Sequence, residues 1–313
     1  MARKFCMIIG DGFTKDFVGS SINTSKPFTQ FENESIGKYY KFFSNSIKDI
    51  HDEIMNLMSH HKLDNQFEAI EIFSEINRGD TAKECQLRRY LALTYSSLQR
   101  ELDKRPKDNW RWLKWFHSHK EELSFFISFN YDLLLESTLT ELNIKFNRTG
   151  SNEVSSDISI LKPHGSIDFD IQQPQYSNVL DQANISHMIW NSYFSLNQVN
   201  GTVQSIPSTH WLLPRLEADI IPPSQINYQK ELEWVKRGFE HYSNTADKFT
   251  DLIIMGHSYA VCDREEIDYF LERLSKNTLV HIINPQIPND LIEKIESLQL
   301  KYKIISDFET MPT

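Results

Sequence analysis

Separate short stretches of this sequence combine glycine, asparagine, aspartate, histidine and serine in patterns suited to binding a polar ligand. They are Gly10-Asp11-Gly12-Phe13-Thr14, Asn130-Tyr131-Asp132, His164-Gly165-Ser166 and Gly256-His257-Ser258, with Asn284 as a further candidate. Glycine permits close approach of a backbone to a ligand. Histidine is the side chain best suited to proton transfer near neutral pH. The sequence therefore predicts one polar site built from several loops.

Each of these stretches follows a short apolar run that is typical of a buried strand. The runs are Phe5–Ile9, Phe125–Phe129, Ile158–Leu161, Leu252–Met255 and Leu279–Ile283, and helical patterns separate most of them. In a parallel sheet, the carboxyl ends of all strands meet at one edge, where ligands bind. The predicted fold class is α/β, with a Rossmann-like parallel sheet flanked by helices.

Two longer segments interrupt this alternation. From Ser35 to about Lys120, apolar residues recur at helical spacing, which predicts an inserted all-helical subdomain over 35–120. Within it, Trp112, Trp115 and Phe116 fall on one face, as expected for a packing helix. Residues 172–226 are rich in Asn, Ser, Gln and Pro and predict an irregular excursion that walls the cleft. We expect residues 1–313 to form a single domain that carries both segments.

Composition excludes several classes of function. The net charge of −10 argues against direct nucleic-acid binding through phosphate neutralisation. Cys6, Cys85 and Cys262 lie far apart without a CxxC pair, so no cysteine zinc site is expected. The pairs His60–His61 and His117/His119 have no nearby carboxylate or Cys to complete a site, so no other metal site is expected. The apolar run near the N-terminus is too short for a signal peptide, and no run is long enough for a membrane span. We therefore expect a cytoplasmic protein without membrane contact.

Individual motifs leave alternatives open. Gly10-Asp11-Gly12 fits a turn that cradles a pyrophosphate at a helix N-terminus. It fits equally a simple turn with Asp11 as the helix cap. His164 is either a proton-transfer residue or a structural histidine. Asp263 is predicted to cap a helix over Arg264–Leu274.

The order of the motifs resembles that of the sirtuin-like superfamily. Gly-x-Gly after the first strand, a helical insertion, Phe-Asn-Tyr-Asp, Pro-His-Gly-Ser, Gly-His-Ser before an Asp-capped helix, and Ile-Asn-Pro follow one another over nearly the whole chain. The resemblance implies that the stretch from Gly10 to Thr14 cradles the pyrophosphate of NAD. It implies that Asn130 and Asp132 reach the nicotinamide ribose and the amide, and that His164 lies in the catalytic-base region.

The resemblance also implies that Gly256, Ser258 and Asn284 hold the adenosine half of NAD. The chain departs from deacetylating sirtuins because it lacks their four-cysteine zinc module. Phe129 replaces their Gln, Asp11 a small residue and Thr14 the usual Ser.

The chain is more similar to the bacterial sirtuin-like proteins of anti-phage defence, which hydrolyse NAD outright. Its opening Ile-Ile-Gly-Asp-Gly-Phe and its Gly-His-Ser motif with the following Asp are also similar to the AbiH abortive-infection family. These resemblances imply an NAD+ glycohydrolase with NAD+ as substrate, no prosthetic group and no zinc. They also imply a homo-oligomer, or a complex with a separate ATPase or sensor protein.

Hydrolysis of NAD+ passes through an oxocarbenium-like state, so the protein must orient the ribose, position a water and stabilise positive charge. We expect Asn130 to hold the water or the ribose. Asp132 is expected to bond the carboxamide or to stabilise the cation, and His164 to accept a proton.

Other functions remain open at this stage. A non-catalytic sensor of NAD or ADP-ribose, or a scaffold subunit, would use the same binding residues. A zinc-free deacylase is a further alternative. Gly256-His257-Ser258-Tyr259-Ala260 also resembles the nucleophile elbow of α/β-hydrolases, but the only later histidine, His281, falls inside a predicted strand.

Overall fold

The computed structural model of this protein describes residues 2–24, 45–150, 158–171, 203–212, 218–223, 232–306 and 308–312. The strands are β1 (Phe5–Ile9), β2 (Leu123–Ser128), β3 (Asn147–Arg148), β4 (Ser159–Leu161), β5 (Gly165–Ile171), β6 (Val203–Ser205), β7 (Ala218–Ile220), β8 (Asp251–Met255), β9 (Leu279–Ile283) and β10 (Lys301–Ile304). The helices are α1 (Asp11–Val18), α2 (Asn45–His61), α3 (Gln66–Ile76), α4 (Thr81–Asp103), α5 (Arg111–Ser118), α6 (Leu134–Glu141), α7 (Glu233–Ser243), α8 (Arg264–Glu272) and α9 (Asn289–Ser297).

The main sheet has seven strands in the order β10-β9-β8-β1-β2-β4-β3. All of its pairings are parallel. Ile9 lies opposite Ser128 on one side and Met255 on the other, so the central strands end level with one another. The α/β fold with a Rossmann-like parallel sheet is therefore confirmed, and the predicted motifs follow strand ends on one edge.

Apolar side chains alternate between the two faces of the sheet, as the pleat of a strand requires. Phe5, Met7 and Ile9 of β1 face a core that they share with α2, α3, α4 and α5. Cys6 and Ile8 face a second core that α7, α8 and α9 cover. Helices thus cover both faces, which explains why the central strands are apolar throughout.

The interval between β1 and β2 contains helices in its described part, and residues 35–44 of the predicted insertion lie outside the described residues. These helices have no core of their own, because α2 through α5 pack into the same cluster as β1 and β2. A separate helical subdomain is therefore not confirmed. The predicted packing face of α5 is confirmed, since Trp112, Trp115 and Phe116 are all buried.

A second, antiparallel sheet with the order β6-β5-β7 was not predicted. Gly165 and Ser166, expected in a loop, begin β5. Residues 172–202, 213–217 and 224–226 of the predicted irregular excursion lie outside the described residues, but β6 and β7 show that it is not irregular throughout. Among the described helices, none is both long and apolar enough to cross a membrane.

Candidate functional site

A cavity of about 670 Å³ opens at the carboxyl edge of the main sheet. Most of the predicted site residues line it: Gly10, Asp11, Gly12, Asn130, Asp132, His164, Gly256, Ser258 and Asn284. Its volume lies within the range of roughly 300–1,000 Å³ that is typical of small-molecule and cofactor sites. The cavity also lies where the strand order reverses, between β1 and β8, which is the usual ligand position in open α/β sheets.

Close contact between the loops after β1 and β8 explains why Gly10, Gly12 and Gly256 are glycines. The loops after β1 and β8 approach so closely that the Gly12 N–H donates to the Gly256 carbonyl at 2.9 Å. A Cβ on Gly12 would lie 2.4 Å from Gly256 Cα, and one on Gly10 would lie 2.7 Å from Gly256 O. Gly256 also has a φ of +59°. Backbone packing thus requires these glycines independently of any phosphate.

The carboxylate of Asp11 accepts hydrogen bonds from its neighbours and does not cap α1. It lies 2.7 Å from Lys15 Nζ, and the Thr24 hydroxyl donates to it at 3.0 Å. Gly10 occupies the N-cap position, without a side-chain cap. The alternative interpretation of Asp11 as the helix cap is therefore wrong. Lys15 also lines the cavity, so a cation offsets the charge of Asp11 beside the start of the helix.

Phe13 and Thr14 do not belong to the cavity wall. Phe13 is fully buried, with its ring centroid 4.8 Å from that of Trp110 and 5.8 Å from that of Trp112. The predicted phosphate-binding stretch therefore offers only Gly10, Asp11 and Gly12 to a ligand, and Phe13 serves the core.

Thr14 connects the first motif to the second. Its hydroxyl donates to Asp132 Oδ2 at 2.8 Å and accepts from Asn130 Nδ2 at 3.2 Å. Asn130 Nδ2 also donates to the Gly10 carbonyl at 3.1 Å. Because a carbonyl only accepts, the Asn130 nitrogen must be the atom that faces it. Asn130 Oδ1 receives no hydrogen bond from the described residues. Asn130 is one of the residues that line the cavity.

Asp132 is a buried carboxylate whose oxygens are both engaged. Besides the bond from Thr14, Oδ1 accepts from the Leu134 N–H at 3.0 Å. Lys162 Nζ donates to the Asp132 carbonyl at 2.6 Å and to Glu136 Oε1 at 3.1 Å. Burial raises the pKa of Asp132, and the charge of Lys162 together with the hydrogen bonds offsets only part of this effect. Asp132 thus stabilises the loop that carries Asn130.

His164 and His257 converge on the carboxylate of Asp263. His257 Nε2 lies 3.2 Å from Asp263 Oδ2, and its Nδ1 accepts from the Tyr259 N–H at 2.9 Å. The two contacts fix the tautomer of His257 with the proton on Nε2. His164 Nε2 lies 3.7 Å from Asp263 Oδ1 and 4.0 Å from Glu266 Oε1.

Electrostatics keep Asp263 ionised. Burial alone would raise its pKa, but the hydrogen bond from His257 and the electrostatic interactions with the His164 and His257 imidazoles outweigh burial, so the net pKa is lowered. Asp263 does occupy the N-cap position of α8, which begins at Arg264 as predicted. Its side chain makes no cap hydrogen bond, so the predicted capping role is wrong.

Phe129 packs against both histidines. Its ring centroid is 5.2 Å from that of His164 and 4.6 Å from that of His257, both in edge-to-face geometry. Cys262 also lines the cavity, but burial and the nearby Asp263 raise the pKa of its thiol, so it is not a thiolate nucleophile at neutral pH.

The loops after β8 and β9 are tied together by Asn284. Its Nδ2 donates to the His257 carbonyl at 2.8 Å, and its Oδ1 accepts from the Gln286 N–H at 3.2 Å. Asn284 therefore uses its amide to shape the cavity wall. Ser258 is exposed and lines the cavity, and no described histidine is hydrogen-bonded to it.

His281 cannot serve Ser258 as a base, because its Nε2 is bonded to Asp251 Oδ1 at 2.8 Å inside the sheet. Asp251 begins β8, so this pair lies toward the amino-terminal edge, away from the loops after the strands. A triad of Ser258 with His281, the histidine that the α/β-hydrolase alternative would use, is therefore excluded.

Sequence reasoning missed several cavity residues. Lys15, His257, Cys262 and Asp263 lie in or beside predicted motifs, and the spacing of His257 and Asp263 around a short turn was an available signal. Asn65, Phe67, Tyr95 and Leu98 come from α3, α4 and the turn before α3. Their helical periodicity gives no indication that they reach a cavity. Pro223, in the predicted excursion, also belongs to the wall.

Comparison with protein-family models and with curated proteins finds no match to this chain. The function must therefore be inferred from the geometry of the site and from the motif resemblance.

Proposed function

We propose that this protein binds NAD+ in the cavity and hydrolyses the bond between nicotinamide and ribose. The observation that supports this best is the presence of Asn130 and His164 in the same cavity wall. Asn130 is held through its nitrogen with its amide oxygen free of described partners. His164 lies beside the ionised Asp263. Such a pair suits stabilisation of a cationic sugar and acceptance of a proton.

The rest of the wall suits a dinucleotide. Gly10 and Gly12 expose backbone near the start of α1, and Lys15 supplies a cation for a pyrophosphate. The Ser258 hydroxyl is available for the adenosine half. Lys15 also neutralises Asp11, so a bound pyrophosphate would share this cation with the carboxylate.

The proposed reaction consumes one water. The C1′–N1 bond breaks, and its electron pair passes to the ring nitrogen, so nicotinamide leaves as a neutral molecule. The Asn130 amide oxygen stabilises the positive charge on the ribose. Water forms the new C1′–O bond and gives its proton to His164, which then releases it to solvent. The products are ADP-ribose, nicotinamide and a proton.

Asp263 acts through His164 and is a positioning residue. An anion beside Nε2 orients the imidazole and stabilises its protonated form, as the carboxylate of a hydrolytic triad does. His257 holds Asp263 from the other side at 3.2 Å.

Incubation of the purified protein with NAD+, with release of nicotinamide followed by chromatography, tests the proposal. We expect release by the wild type and a loss of about 100-fold or more in kcat for His164→Ala. Asn130→Ala should show a comparable loss, and Asp263→Asn a smaller one. His117→Ala is the matched control, because His117 is exposed on α5 outside the cavity. Equal release by wild type and His164→Ala would refute the mechanism.

Calorimetric titration with NAD+ separates hydrolysis from the sensor or scaffold alternative, since binding without release would favour the latter. The resemblance to defence proteins supports a role in abortive infection. Phage challenge of cells that express the wild type or His164→Ala tests that role, with protection expected from the wild type alone.

A further inference from the structure

Tyr95 differs from the other buried tyrosines in the described part of the chain. The hydroxyl of Tyr131 donates to the Ile221 carbonyl at 2.6 Å, and that of Tyr242 to the Phe270 carbonyl at 2.9 Å. Tyr90 contacts His51 Nδ1 at 2.6 Å, and Tyr259 donates to Asp268 at 2.6 Å. The buried hydroxyl of Tyr95 has no hydrogen-bond partner among the described residues. Buried tyrosine hydroxyls normally have one, so this exception needs an explanation.

The position of Tyr95 relates it to the candidate site. Tyr95 lines the cavity while remaining 95% buried, since its relative exposure is 5%. Its ring packs edge-to-face on Tyr131 of the Asn-Tyr-Asp motif, with 5.0 Å between centroids. Burial raises the pKa of its phenol, so the hydroxyl is neutral at physiological pH and can donate a hydrogen bond.

A hydrogen bond holds this part of α4 against the second motif. Gln99 lies four residues after Tyr95, and residues at this spacing share one face of a helix. Gln99 Oε1 accepts from the Leu133 N–H at 2.6 Å, directly after the motif. The helix is thus anchored where Tyr95 meets the loop that carries Asn130 and Asp132.

We propose that the Tyr95 hydroxyl binds the ligand of this cavity, donating a hydrogen bond to a sugar–phosphate oxygen of the nicotinamide half of NAD+. The inference rests on the proposed function and extends it, because it gives the helices between β1 and β2 a part in substrate recognition. A ligand in the cavity supplies the acceptor that no described residue offers at this position.

The proposal predicts opposite effects of Tyr95→Phe on folding and on binding. The substitution removes a hydroxyl that has no partner among the residues that the structure describes, so the urea midpoint should stay the same or rise. The dissociation constant for NAD+, measured by calorimetry in the His164→Ala background to prevent turnover, should rise about 10-fold. Nicotinamide mononucleotide should lose affinity similarly, whereas AMP should not.

Tyr242→Phe is the matched control. It removes a hydroxyl that is bonded to the Phe270 carbonyl in the other core, so its urea midpoint should fall while NAD+ affinity is unchanged. A lower midpoint for Tyr95→Phe with unchanged NAD+ affinity would show that the hydroxyl is bonded within the protein or to water, and would overturn the inference alone. Absence of NAD+ binding by the Tyr95-containing protein would overturn the proposed function as well.

Discussion

Thr14 offers a sharp test of how the first two motifs are joined. Its side chain is 1% exposed, and its hydroxyl links Asn130 to Asp132 at 3.2 and 2.8 Å. Thr14→Val preserves the shape of the side chain and removes both hydrogen bonds. A hydrogen bond to a charged group contributes about 1.5–3 kcal/mol and a neutral one about 1 kcal/mol, so Thr14→Val should lower the free energy of unfolding by about 3 kcal/mol.

Thr14→Ser is the matched control, because it keeps the hydroxyl and removes only a buried methyl group, at a cost of about 1 kcal/mol. Urea denaturation of both variants at neutral pH measures the difference, with equal m-values required for the comparison. If Thr14→Val is as stable as Thr14→Ser, the hydroxyl does not link the motifs and the reasoning fails.

The pH dependence gives a second check on the same variants. The Thr14 hydroxyl stabilises the charged form of Asp132, whose pKa burial raises overall. Protonation of Asp132 removes the negative charge that the hydrogen bond from Thr14 stabilises. Without this hydrogen bond the folded-state pKa of Asp132 is higher in Thr14→Val than in the wild type. The stability gap should therefore be complete above the pKa in the variant and shrink as the pH falls from that value to the pKa in the wild type. A gap that widens in acid would contradict this assignment.

Two further substitutions test contacts that hold the loops and strands of the main sheet in place. Gly12→Ala should destabilise the fold by more than about 3 kcal/mol in thermal unfolding, because its Cβ would lie 2.4 Å from Gly256 Cα. Gly19→Ala should cost less, about 1–3 kcal/mol, because no atom lies within 4 Å and only its backbone conformation, with φ +58° and ψ −138°, opposes a side chain. Similar losses in both would contradict the loop contact. Asp251→Asn should cost about 2 kcal/mol, because Asp251 bonds Arg3 at 3.0 Å and His281 at 2.8 Å. Although burial acts to raise the pKa of Asp251, these bonds lower it overall, so its contribution is present above the unfolded pKa of about 4 and is lost as pH falls below that value. Unfolding of Asp251→Asn should consequently depend less on pH in acid than that of the wild type.

The sequence by itself determined the sheet and the edge at which the site lies. Apolar runs such as Phe5–Ile9 have few alternatives to burial, and the polar or glycine residues after them end the strands. Parallel strands place those ends together, so Asn130, His164 and Gly256 were predictable neighbours. Periodicity also predicted the packing face of α5 correctly.

The partners of the polar side chains in the candidate site could be determined only from the tertiary structure. Asp11 and Asp263 both lie where a helix begins, yet neither makes a side-chain cap. Asp11 instead pairs with Lys15, one turn along the same helix, and with Thr24 from beyond that helix, while Asp263 pairs with His257. The antiparallel strand β5 depends on pairing with distant segments, which local propensity does not encode. The Tyr95 hydroxyl, which has no partner among the described residues, likewise depends on how α4 packs. A helical sequence pattern predicts which face of a helix is buried but not which residues that face contacts.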